Sequence, residues 1–116
     1  MNTDVMLFFS KAPGALPLYE RLEGEILSRF PETTVTVQKS LIAFDNGRRF
    51  AFASLRGKRL VVTFGLGHRV DSPRIAQATE PYPGRWTHHV QVADASELND
   101  ELFQWIALAY DFAARK

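Results

Sequence analysis

The apolar positions follow a helical beat over the first thirty residues and a two-residue beat after that. Val5, Phe8 and Phe9 fall on one side of a short segment that Asp4 can cap, predicting a brief helix. Pro13, Gly14 and Pro17 then interrupt the chain, and Pro17 suits the first turn of a second helix. Over residues 17–30, Tyr19, Leu22, Ile26 and Phe30 recur on one stripe, with Leu18 and Leu27 beside them. Glu20, Glu23, Glu25 and Arg29 take the wet side, and Pro31 ends the helix.

From Thr33 the beat shortens to two. Residues 34–38, 41–44, 49–55, 59–66 and 86–92 read as strands. Asn46-Gly47 predicts a type I′ hairpin turn between the second and third, because that turn needs positive φ at both central residues. Arg56-Gly57-Lys58 joins the third to the fourth, where Leu60, Val62, Phe64 and Leu66 share a face. The stretch Asp71-Ser72-Pro73-Arg74-Ile75 predicts a helix start, a capping side chain followed by Pro, and Tyr82-Pro83-Gly84 predicts a turn. A last helix spans residues 96–114, with Ser96 as its N-cap and Glu97, Asp100 and Glu101 favouring the dipole of its first turns. Leu98, Leu102, Trp105, Ala109 and Phe112 form its stripe, and Phe103, Ile106 and Tyr110 widen it, so the helix is covered on more than one side. This order of elements predicts a single α+β domain over residues 1–116: an antiparallel sheet of about five strands, with N-terminal and C-terminal helices packed on one face. The other face is then open or covered by a partner.

Composition narrows the chemistry. The 116 residues are 46% apolar and contain no cysteine, which excludes a disulfide scaffold, a cysteine-based zinc site and a thiol nucleophile. No apolar run reaches the ~18 residues of a membrane span. Met1-Asn2-Thr3-Asp4 lacks the basic region of a signal peptide, and neither it nor the closing Ala114-Arg115-Lys116 carries a lipidation motif. A cytoplasmic protein with no membrane partner is the expectation.

The net charge of +1 hides an asymmetry. Residues 1–38 carry three bases and five acids, residues 39–85 nine and three, and residues 86–116 two and five, so a basic middle lies between acidic ends. Arg48, Arg49, Arg56, Lys58 and Arg59 sit at hairpin ends, where charge keeps sheet edges apart. With Arg69, Arg74 and Arg85 they could instead form a patch for nucleic acid or a phosphorylated small molecule, with Trp86 or Tyr82 stacking a base. Ser72-Pro73-Arg74, read as a helix start, is the best local anion site, with His68 and Arg69 adding charge. Read as a helix cap alone, it serves only the fold.

His88 and His89 are adjacent on a strand, so they point to opposite faces and cannot chelate one ion together. His88 shares its parity with Trp86, Val90 and Val92 and reads as an inward, hydrogen-bonded residue. His89 shares its own with Thr87 and Gln91, on the open side. Strict alternation would point Lys39 inward, but a bend at Gln38-Lys39-Ser40 returns it to water, the cheaper arrangement for an amine. Gly65-Leu66-Gly67 lacks the third glycine and downstream acid of a dinucleotide site, so no cofactor is expected, nor any metal.

Several segments together resemble DUF 5655, a bacterial family of unknown function. They are Phe8-Phe9, Lys39-Ser40-Leu41-Ile42-Ala43-Phe44, Arg49-Phe50-Ala51-Phe52, Asp71-Ser72-Pro73-Arg74-Ile75, Arg85-Trp86-Thr87-His88-His89 and Trp105-Ile106-Ala107-Leu108-Ala109-Tyr110. The Ser-Pro-Arg and Trp-Thr-His-His segments are the specific part. The resemblance implies an α+β domain, alone or fused to others. It assigns no activity, cofactor or catalytic residue.

The first functional expectation is a non-enzymatic binding or interaction module, a homodimer through the wide stripe of the last helix and the apolar part of the second sheet face, taken as Ala51, Ala53, Leu55 and Val61. The alternative is an anion-binding domain, with Arg69, Ser72, Arg74, Arg85, Trp86 and His89 as ligand-binding residues and Lys39 and His88 behind them. The third is a small enzyme using His88 or His89, with Arg85 beside a developing oxyanion.

Overall fold

The structure, a computed structural model, describes residues 3–114. Met1, Asn2, Arg115 and Lys116, on which part of the leader and lipidation readings rest, lie outside them. Helices α1 (Thr3–Phe8) and α2 (Leu16–Arg29) precede six strands: β1 (Thr34–Val37), β2 (Ile42–Asp45), β3 (Arg49–Arg56), β4 (Arg59–Leu66), β5 (Ile75–Tyr82) and β6 (Arg85–Val92). Helix α3 (Asp100–Ala114) follows. The strands form one antiparallel sheet in the order β1-β2-β3-β4-β6-β5.

All three helices contribute to one core on one side of the sheet. Val5 from α1 and Phe9 in the turn after it, Tyr19, Leu22 and Ile26 from α2, and Leu102, Phe103, Ile106 and Ala109 from α3 are buried there. They meet Ile42, Phe44, Ala51, Ala53, Leu60, Val62, Phe64, Val90 and Val92 from the sheet. Phe9, Tyr19 and Phe44 make a run of ring contacts, and the Tyr19 hydroxyl donates to Glu23 Oε2 at 2.5 Å. No helix among the described residues is long and apolar enough to cross a membrane.

The sheet has one strand more than the sequence pattern predicts, and the extra one replaces the helix expected at Ser72. Strand β4 ends at one end of the sheet, and β5, which runs parallel to it beyond β6, begins at the other. Segment 67–74 must therefore run back from the level of Trp86 to that of Val90, roughly 13 Å, while also crossing from one side of β6 to the other. Extended, its eight residues span roughly 26 Å; as a helix they would cover only about 12 Å and fall short. Ser72 shapes a turn instead: its Oγ accepts the Arg74 N–H at 3.3 Å, and its carbonyl accepts the Ile75 N–H at 3.0 Å. Strand β5 pairs on one side only, with irregularities between Ile75 and Gln77 and between Thr79 and Tyr82. Such an edge tolerates Pro81, which lacks an N–H.

Two boundaries also move. Ser96 does not cap the last helix. Asp94 caps a single 3₁₀ turn (Ala95–Glu97), accepting from the Ser96 N–H at 3.1 Å and from its hydroxyl, while Glu97 Oε1 accepts the Asp94 N–H at 3.1 Å. Asn99 then opens α3, its Oδ1 accepting the Leu102 N–H at 3.2 Å. The Asn46-Gly47 hairpin forms, but not as type I′. Asn46 keeps a negative φ, Gly47 alone takes +81°, and three residues separate the paired Asp45 and Arg49. Phe44 pairs with Ala51, so Phe50 is an extra residue in β3. This bulge turns two successive residues toward the helices. Phe50 packs against Phe30 and Tyr110, and Asn46 Nδ2 donates to the Tyr110 hydroxyl at 2.5 Å.

Candidate functional site

Strand register decides which side chains reach the bare face. The tight turn at Gly57-Lys58 pairs Arg56 with Arg59, and from there Ser54 with Val61, Phe52 with Thr63 and Ala51 with Phe64. Phe52, Ser54, Arg56, Arg59, Val61 and Thr63 therefore face away from the helices. Strand β6 adds Arg85, Thr87, His89 and Gln91 to the same side. This register corrects the face given to Ala51, Ala53 and Leu55. They sit on the helix side with Phe64, Val62 and Leu60, and of that expected apolar group only Val61 faces outward.

The open face holds a concavity of about 340 Å³, lined by Ser40, Leu41, Phe52, Ser54, Thr63 and His89. No helix covers this side, yet Val61 and Thr63 are only 8% exposed, shielded by the longer side chains around them. Thr63 Oγ1 lies 2.9 Å from His89 Nδ1. That contact leaves Nε2 as the ring nitrogen free for a ligand. Partial burial, and then the positive charge of Arg56, lower the His89 pKa below its ordinary value. Arg59 Nη1 reaches Gln91 Oε1 at 3.5 Å. Arg56, Lys58 and Arg59 form no ion pair among the described residues.

The residues singled out from the sequence are divided between the two sides. His89 and Arg85 share the open face, but at a distance: Arg85 lies over Gly65 and the Tyr82 ring at the far end of the sheet. Trp86 has the opposite parity and is half-buried, with the Arg69 guanidinium 5.9 Å from its ring centre. Arg74 is occupied within the fold. Its Nη1 donates to Asn99 Oδ1 at 2.8 Å and Glu101 Oε1 at 3.1 Å, its Nη2 to the Glu97 carbonyl at 2.6 Å, and its guanidinium stands over Trp105. Ser72 shapes the turn before β5, so the anion site read at a helix start there has no helix to supply it. Lys39 is exposed in the β1–β2 connection, as the expected bend requires.

His88 is fully buried on the helix side, stacked on Phe64 with ring centres 5.1 Å apart. The Val70 N–H donates to its Nε2 at 2.9 Å, which puts the ring proton on Nδ1, and Nδ1 is buried without a hydrogen-bond partner. Burial lowers the pKa of His88, outweighing the opposing pull of the Phe64 backbone. A ring sealed this way has no route to a substrate, which removes His88 as a catalytic group. The two neighbouring histidines do project to opposite faces, so they share no ion.

Pattern reading missed the side chains that line the concavity around His89: Ser40, Leu41, Phe52, Ser54 and Thr63. Arg56 enters the sequence reading as a hairpin charge or one member of a broad basic patch, without the side chains beside it. The tight turn at Gly57 was the available signal, since a two-residue hairpin loop fixes which residues of β3 stand beside Thr63.

A family model for a domain of unknown function, DUF5655, matches residues 6–113. The chain belongs to DUF5655. No curated protein and no solved structure matches it. The segments by which the chain resembles DUF5655 include both faces of the sheet: the Trp-Thr-His-His stretch of β6 supplies buried His88 and open-face His89 together.

Proposed function

We propose that this DUF5655 protein is a non-enzymatic binding module whose open sheet face receives an anionic partner. One observation carries this reading. Arg56 and Arg59, paired across β3 and β4 and without carboxylate partners among the described residues, share the bare face with a partly apolar hollow whose nearest lining residue along β3 is Ser54. The helices hold most of the acids, including Glu20, Glu23, Glu25, Asp100 and Glu101, so the molecule is acidic on its covered side and basic on its bare one. An enzyme is a weaker reading. His89 has Thr63 as its neighbour, and no carboxylate among the described residues orients it.

The charge also weighs against the homodimer expected from sequence. Two copies meeting through this face would each present Arg56 and Arg59, and of the four sheet residues that, with the last helix's stripe, motivated the dimer, Ala51, Ala53 and Leu55 face the helices. The test is a titration of isotope-labelled protein with a short single-stranded oligonucleotide as a generic polyanion, at low and high salt. Amide shifts at Ser54, Arg56 and Arg59 that fade with salt are expected. Their absence at low salt refutes the reading.

A further inference from the structure

Resting on the anionic-partner reading, we propose that the concavity beside His89 binds a small amphipathic carboxylate. Its anionic end would lie between the Arg56 guanidinium and His89 Nε2, and its apolar body on Phe52 and Leu41.

Size comes first. A volume of about 340 Å³ is at the low end for small-molecule sites, which suits one ring or a short chain rather than a polymer. A nucleic acid would need further cations and stacking rings along its track. Along β6 the next base on this face, Arg85, is four residues from His89, roughly 13 Å away, with only Thr87 and Gly65 between. Trp86, which could have stacked a base, projects to the other side.

Charge and hydrogen bonding decide the class. Arg56 offers a planar fork of donors that matches a carboxylate, and it spends none of them on an acid of the protein. Arg59 turns toward Gln91, leaving Arg56, two residues beyond Ser54 on the same face of β3, as the unengaged cation. When the Thr63 hydroxyl donates to Nδ1, His89 Nε2 carries the proton and becomes a neutral donor. One cation, one neutral N–H and the hydroxyls of Ser40 and Ser54 suit a single negative charge with two oxygens. Phe52 and Leu41 are half-buried and line the same hollow, so the body attached to that anion is apolar.

The experiment titrates the full chain with sodium benzoate, sodium octanoate, acetate, benzyl alcohol and inorganic phosphate, following amide and histidine ring signals. Saturable shifts at Phe52, Ser54, Thr63 and His89 are expected with benzoate or octanoate. Acetate, which lacks the body, and benzyl alcohol, which lacks the charge, should each bind at least about tenfold more weakly. Arg56→Gln should weaken benzoate and octanoate by at least about tenfold with the rest of the spectrum unchanged. Equal binding of phosphate, or shifts indifferent to Arg56→Gln, overturns the proposal. If the amphipathic carboxylates fail while the oligonucleotide still binds in a salt-dependent way, the ligand class is wrong and the anionic face stands. If both fail, both readings fall.

Discussion

Val70 donates its backbone N–H to His88 Nε2 at 2.9 Å, and this bond holds the middle of the 67–74 crossover against β6. The buried ring must be neutral to accept it. Below a pH of about 6.5 the unfolded chain takes up a proton that the native ring resists. Stability is therefore complete above that pH and is lost as pH falls toward the depressed native value. His89 shifts in the same direction, so both rings contribute. Urea unfolding at pH 7.5 and pH 5.5 should show the loss. His88→Phe preserves a ring against Phe64 but orphans the Val70 N–H, so it should cost about 1–3 kcal/mol at neutral pH and flatten the decline. An unchanged pH slope in His88→Phe would refute this account.

Arg74 closes the end of the same crossover, joining it to Asn99, Glu97 and Glu101 at the entry to α3. Its side chain is only partly exposed, and the Glu97 carbonyl it serves is backbone. Arg74→Met should lower stability by about 1–3 kcal/mol, since hydrogen bonds from a charged donor exceed neutral ones. It should leave polyanion binding unchanged, whereas Arg56→Gln should do the reverse. Denaturation and titration of the two variants side by side separate a base used by the fold from one available to a ligand.

Phe50 fills the space between Phe30 and Tyr110 because a bulge turns it inward. Phe50→Ala should cost about 3–5 kcal/mol, the usual range for a truncated core aromatic. Calorimetry would check it, and a loss within the range of a surface substitution would contradict the bulge.

Arg56 and His89 are coupled by charge across the open face. Removing the cation in Arg56→Gln should raise the His89 pKa toward its ordinary value, because the protonated ring no longer meets a neighbouring positive charge. His88 should not move, as Arg56 is not among the groups that shift it. Ring-proton titration by NMR measures both in one series.

Much of this fold is written in local pattern. The α2 stripe, the inward faces of β4 and β6, and the exclusion of His88 from His89's side follow from periods of 3.6 and 2. What escaped depends on distant parts of the chain. Strand β5 carries Ala76, Gln77 and Ala78, poor strand formers, and it exists because β6 offers an edge beyond the strand that precedes it in the chain. The extra residue at Phe50 breaks the alternation of β3, so Phe50 and Phe52 look alike in sequence and face opposite ways. The candidate site was half-visible for the same reason: His89 follows from parity in β6, while its companions Phe52 and Ser54 follow only from register. Arg74 reads from the sequence as part of an anion site at a helix start, and only the packed structure shows its carboxylate and carbonyl partners.

The adjacent pair in β6 also gives the molecule two built-in reporters. One imidazole senses whether the interior is sealed, and its neighbour senses what arrives from solvent. A single histidine spectrum can thus tell occupancy from loosening, since a docked molecule perturbs the second signal and a loosened crossover the first.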